Sequence, residues 1–272
     1  MSSFFRCATF VSLAFILFLS AVATARAEDK PAGDNDTDLR LSIGFDYSSG
    51  KYGTADKTKL WSMPIGLIYD RGDYSFDVSV PYLNLNGPTG TFLVAGGRAI
   101  RINGQPVSQT ATVNGWGDVV TGVTRYFSNS DENGIQFDVR GSIKFGTADA
   151  TKGLGTGKND YSLQTDAYMP FGNWNVLGSL GYTFTKSPSD VQLLNYWFAS
   201  VDGSYQISDK NKVGAIYGYQ RTAVAGSPDP QDVQLYFRRK IGKASSIRVY
   251  MLKGLNDGSP NWGGGMSALV SF

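Results

Sequence analysis

Ile135-Gln136-Phe137-Asp138-Val139-Arg140-Gly141-Ser142-Ile143-Lys144-Phe145 sets apolar residues and one glycine at the odd positions and polar or charged residues at every even one. A helix repeats its faces about every 3.6 residues and would scatter this set. A strand, whose side chains alternate, sorts it into one apolar and one polar face. The same alternation runs through Leu39–Tyr47, Trp61–Tyr69, Tyr74–Tyr82, Tyr161–Phe171, Trp174–Phe184, Trp197–Ile207, Val213–Tyr219, Val233–Ile241, Ile247–Met251 and Trp262–Phe272. Gly117–Phe127 makes a twelfth strand whose facing stays open, since Val119 and Val123 favour one face and Val120 and Tyr126 the other.

The connections between these strands alternate in length. Asp70–Asp73, Ser128–Gly134, Gly172-Asn173, Ser208–Asn211 and Gly242–Ser245 are short, whereas Ser48–Lys59, Asn86–Gly115, Gly146–Asp160 and Lys186–Tyr196 are long. An even number of strands of about 9–11 residues, joined by short turns at one end and long loops at the other, is the plan of an outer-membrane barrel. A soluble sandwich has no reason to sort its loops by parity. The expectation is therefore an all-β chain: a closed antiparallel transmembrane barrel of about 12 strands over residues 38–272, with 14 as the alternative. Trp61, Tyr82, Phe145, Tyr161, Trp197, Tyr219 and Trp262 fall near the long loops. Tyr69, Tyr74, Phe127, Phe171, Trp174, Tyr205 and Phe272 fall near the short turns. These are two belts of rings at headgroup depth, in contact with outer-membrane lipid and lipopolysaccharide. The alternating terminal strand ending on Phe272 is of the kind that the outer-membrane assembly machinery recognises.

Residues 1–27 read as a cleaved signal peptide of a Gram-negative exported protein: Arg6, an apolar run from Phe10 to Ala23, and the small-x-small site Ala25-Arg26-Ala27. Residues 28–37 form a flexible periplasmic lead. Its Asp34, Asp36 and Asp38 spacing begins like a calcium loop, but Leu39 stands where that loop needs Gly and Phe45 where it needs Glu. Cys7 is the one cysteine and leaves with the leader, so no disulfide or thiol chemistry is expected. The chain has 25 basic and 23 acidic residues, and Arg6 and Arg26 also leave, so the mature charge is zero and offers no basic stripe for nucleic acid. With no histidine anywhere, a Ser-His-Asp triad, a Cys-His dyad and a His-ligated metal are excluded. No metal or cofactor is expected. The glycine-rich run Gly153–Lys158 is not a phosphate loop: Lys152 replaces its first glycine and Asn159 its Ser or Thr, leaving a flexible loop.

Gly115-Trp116-Gly117-Asp118, the run Lys144–Lys158 with Asp160-Tyr161-Ser162-Leu163, and Leu177–Phe184 together resemble a family of outer-membrane transporters named for the meta-cleavage pathway of phenol degradation. The resemblance covers about residues 115–184 and departs at Lys144-Phe145-Gly146-Thr147, where a Leu-Pro-Thr-Gly run is expected. It implies a barrel that passes small solutes, hydrophobic compounds among them.

If the apolar sets face lipid, the polar sets face a lumen. Arg40, Arg238, Lys240 and Arg248 form a basic wall there, facing an acidic one of Asp77, Asp138, Asp166 and Asp202 with Arg140 among them. Opposed walls favour polar or zwitterionic solutes in an open path, or pair across a closed interior. Residues 86–115 hold Asn103-Gly104, a hairpin signal. The excursion is a surface hairpin, a constriction loop carrying Arg98 and Arg101, or two further strands. Pro64 and Pro81 sit on paired strands in diagonally neighbouring registers, marking a bulge or a seam that opens to lipid. The expected activity is a solute channel rather than an enzyme. The alternatives are a barrel without flux and a histidine-independent membrane hydrolase, for which no lumenal serine stands beside a lysine.

Overall fold

The computed structural model describes residues 37–52, 56–88, 92–95, 98–101, 110–127, 134–189, 191–241 and 245–272. The leader and residues 28–36 of the lead lie outside them, and Thr37 already belongs to the first strand. The strands are β1 (Thr37–Gly50), β2 (Thr58–Arg71), β3 (Tyr74–Pro88), β4 (Phe92–Ala95), β5 (Arg98–Arg101), β6 (Thr110–Trp116), β7 (Val119–Phe127) and β8 (Gln136–Phe145). Then follow β9 (Asp160–Phe171), β10 (Trp174–Phe184), β11 (Tyr196–Ser208), β12 (Asn211–Gln220), β13 (Gln231–Ile241), β14 (Ser245–Gly254) and β15 (Trp262–Ser271). Each barrel strand pairs with its neighbour antiparallel, from β1 through β2, β3 and β7 to β15, and β15 returns to β1 from Arg40 opposite Ser271 to Ser49 opposite Trp262. Twelve strands close the ring.

Closure leaves no sheet edge, so the ladder satisfies the backbone without help from solvent. Side-chain burial is inverted relative to a soluble protein. Leu235 is 61% exposed while its neighbour Gln234 is 0% exposed, and Met251 is 74% exposed beside the buried Leu252. Leu39, Ile43, Phe45, Leu67, Phe137, Leu163 and Leu180 all point outward. An apolar band of that extent is stable only against hydrocarbon. Rings gather at both rims of the band, Tyr47 with Trp61 and Trp262 toward the long loops and Trp174 with Tyr205 toward the short turns.

One open alternative closes and one expectation changes. The hairpin β4–β5 pairs only with itself among the described residues, which decides for 12 barrel strands over 14. It forms upstream of Asn103-Gly104, which lies outside the described residues. Pro64 and Pro81 are not diagonal neighbours but direct partners, because the tight turn at Gly72-Asp73 pairs Arg71 with Tyr74 and carries that register up the hairpin. Each then aims its missing donor away from the other. On the β1 side the ladder skips from Ile43–Ile65 to Asp46–Ser62, around Pro64. On the other side β3 pairs β7 up to Ser79–Val120 and then β6 from Tyr82–Trp116. Two residues of β3 thus face three, Gly117, Asp118 and Val119. This is a β-bulge, anchored by the Gly117 N–H on the Pro81 carbonyl at 2.7 Å. It settles the facing of the twelfth strand: Val120 and Thr124 point inward, Val123 and Phe127 outward.

Val139 and Val201 lie on the apolar outer face. Arg at either position should lower the folding free energy in lipid vesicles by about 2–4 kcal/mol in a denaturant titration, the cost of a charge near the bilayer midplane.

Candidate functional site: the barrel interior

The mouth at the long-loop end is built on the bulge. The bulge turns the consecutive Gly117 and Asp118 both inward, which joins β6, whose odd positions face in, to β7, whose even positions face in, and buries Asp118. Its Oδ1 accepts the Ala148 N–H at 2.9 Å, and its Oδ2 lies 3.1 Å from Lys144 Nζ. Lys144 also meets Asp160 Oδ2 at 2.8 Å and donates to Thr156 Oγ1 at 3.0 Å. Asp160 Oδ1 in turn accepts the Lys186 N–H at 3.0 Å, tying in the next loop. This ion triad holds the connection between β8 and β9 inside the mouth. Leu154 there is 1% exposed and packs with Tyr52, Leu60, Leu83, Leu85 and Ala148.

The expectation of a flexible loop at Gly153–Lys158 is corrected. The glycines serve the descent: Gly153 and Gly157 take left-handed conformations, and a Cβ on Gly155 would meet the Ala148 methyl at 2.6 Å and the Asp118 carboxylate at 2.8 Å. Asp149 caps the short 3-10 turn Ala150–Lys152. The Thr151 hydroxyl bond, 2.6 Å long, with the Thr151 and Lys152 backbone N–H bonds, holds its carboxyl below the ordinary range.

Of the nine wall residues, Arg40, Arg140, Asp166, Asp202, Arg238 and Arg248 are buried, the Asp77 side chain is 7% exposed, and Asp138 and Lys240 are half-buried at positions of the same parity. Arg40 is bound by Asp70, with Asp38 3.5 Å from its Nε, so it is neutralised where it stands. Arg140 forks onto Asp77, Nη2 to Oδ2 at 2.9 Å. These contacts remove Arg40, Asp77 and Arg140 from any field across the lumen. The rest sort by strand. Asp138 and Asp166 are direct partners across β8 and β9, and Asp202 lies on β11. Lys212, Arg238 and Arg248 stand in one row across β12, β13 and β14, with Lys240 on the same face of β13. The side chains of Arg98 and Arg101 lie outside the described residues.

Within the basic arc, two tyrosines from facing positions on β13 and β14 lean apart. Tyr236 crosses Gly214 to donate to Asp202 at 3.0 and 3.1 Å, and Tyr250 crosses Gly265 to donate to Asp46 at 2.5 Å. Arg248 lies over the Tyr236 ring at 4.3 Å. Sequence reading assigned no site role to Lys144, Asp118, Asp160, Asp46, Lys212, Tyr236 or Tyr250. Strand parity carried the signal for Lys144, Lys212 and Tyr236. Thr156 is the one hydroxyl described above that meets a lysine, and Lys144, held by two carboxylates, is a donor and not a base.

A closed twelve-stranded antiparallel ring, apolar outside and charged within, has the fold of an outer-membrane β-barrel. The chain belongs to the family described as "Putative MetA-pathway of phenol degradation", which matches residues 24–272. Among solved structures it is similar to an outer-membrane channel from Pseudomonas putida F1, at 11% identity over 90% of this chain and 100% of that one, with a TM-score of 0.66. The β domain of the Bordetella autotransporter BrkA aligns at 11% identity over 87% of this chain and 100% of that one, with a TM-score of 0.52. No curated protein matches the sequence.

Changing Lys144 to Met strands two buried carboxylates, a loss of about 3–5 kcal/mol when one partner of a buried pair is removed. A cysteine replacing Leu154 should resist a soluble maleimide in the parent barrel and label readily once Lys144 is gone.

Proposed function

We propose that the protein is an outer-membrane channel for small solutes, hydrophobic or aromatic compounds among them, exported by a leader cleaved after Ala27. One observation carries the reading: the inner face is lined by charged groups, Asp138, Asp166 and Asp202 on β8, β9 and β11 and the row Lys212, Arg238 and Arg248 on β12 to β14, with Asp232 of β13 the one acidic residue among the basic strands. Opposed arcs set up a transverse field in a low-dielectric passage and order dipolar solutes along it. The apolar cluster at the mouth, Leu60, Leu83, Leu85 and Leu154, gives the same passage an entrance that tolerates hydrophobic bodies.

Short turns and both termini face the periplasm in this reading, and long loops face outward. Lipid and lipopolysaccharide surround the barrel, and the assembly machinery takes the strand ending at Phe272. A second reading, a barrel without flux, draws on the seating of Leu154 in the mouth. Planar bilayers decide between them. The channel should conduct, and changing Arg238 and Arg248 together to Ser should move its reversal potential toward cation selectivity while the barrel stays folded. A folded barrel with no conductance in any state of its loops favours the second reading. For orientation, cysteines at Lys152 and Ser189 should label with an impermeant reagent on intact cells and one at Asn173 should not; all three residues are exposed.

A further inference from the structure

We infer that Arg248 is the seat of an organic carboxylate within the lumen. Its side chain is buried, with 8% exposure, yet neither Nε nor Nη2 has a hydrogen-bond partner. Those two nitrogens form one edge of the guanidinium, the fork that takes both oxygens of a carboxylate. Buried donors are normally satisfied, and each exception calls for its missing partner.

The surroundings favour an anion. Asp202 and Asp46 lie near enough to act on Arg248 by charge, but each takes a tyrosine hydroxyl, from Tyr236 and Tyr250, and neither bonds Nε or Nη2. The cross-strand partners of Arg248 are Arg238 on β13 and Ser267 on β15. Arg238 is itself opposite Lys212. Three cations in one row across adjacent strands repel one another, and like charges directly opposite are unfavourable. An anion on the unpartnered edge of Arg248 relieves that repulsion.

The guanidinium face is occupied by the Tyr236 ring at 4.3 Å, with the Tyr250 ring at 5.9 Å, so the ligand approaches edge-on. Tyr236 and Tyr250 pack with Ile216 and Leu252 into an apolar cluster beside the row. A carboxylate carried on a small apolar or aromatic body fits both halves of this seat. The inference deepens the channel reading and rests on it for the access of solute to the lumen, but binding at the seat is measurable without flux.

Benzoate is the probe, titrated by calorimetry into the full barrel in detergent, with acetate as the head without the body. Benzoate should bind more tightly than acetate. Arg248→Gln, checked for folding by heat-modifiable migration in gels, should weaken benzoate by roughly tenfold or more, the worth of charge-assisted bonds. Arg248→Lys keeps the charge and loses the fork, and should weaken it nearly as much. A barrel that binds benzoate with Arg248 and conducts nothing retains the seat and refutes the channel. No binding by the parent barrel, or equal binding by the folded Gln and Lys variants, overturns the seat whatever the conductance.

Discussion

The closed hydrogen-bonded ring is the constraint on which everything else depends. Within hydrocarbon an unpaired backbone N–H or carbonyl costs several kcal/mol, so a sheet that crosses the membrane must have no edge. Pairing of β15 with β1 meets that demand. Once the ring is closed, strand parity has only two destinations, lipid and lumen, and every second residue is committed to one of them. The exposed Leu235 and the buried Gln234 beside it are the two outcomes at neighbouring positions.

Where the ring is weakest, the interior is most elaborate. Pro64 and Pro81 face each other and withdraw two donors from the ladders on either side. The chain answers with an extra residue at Gly117–Val119, and that bulge turns Asp118 toward Lys144. A local defect in the wall thereby becomes the foundation of the mouth. Gly115–Asp118, Lys144–Lys158 and Asp160, three of the stretches in the family resemblance, meet in this one structure. Their spacing in sequence reflects a bulge, a lysine and a descending loop that must fit one another.

Strand positions, loop parity and the inward direction of the charged residues were legible from alternation, because a period of two leaves no ambiguity once one face is apolar. What pairs with what was not. The partners of Arg40 and Arg140 depend on the stagger between strands, which alternation does not encode. A residue count through the Gly72-Asp73 turn would have placed Pro64 opposite Pro81. Tyr236 and Tyr250 received no role, although parity already placed Tyr236 inside with Gln234 and Arg238, and Tyr250 inside with Arg248. The descent of Leu154 was illegible because loops carry no periodicity, and a glycine-rich run suits a mobile loop and a tightly packed one alike.

The central claim, a barrel whose apolar surface meets lipid and whose charged surface is enclosed, is tested most directly through its five tryptophans. Trp61, Trp116, Trp174, Trp197 and Trp262 are all on the outer face, from 38% to 57% exposed. In vesicles of brominated lipids their fluorescence should be strongly quenched, most by bromines set shallow in the acyl chains, and aqueous iodide should have little effect. Quenching by iodide with none from the brominated lipids would contradict the barrel and its placement together.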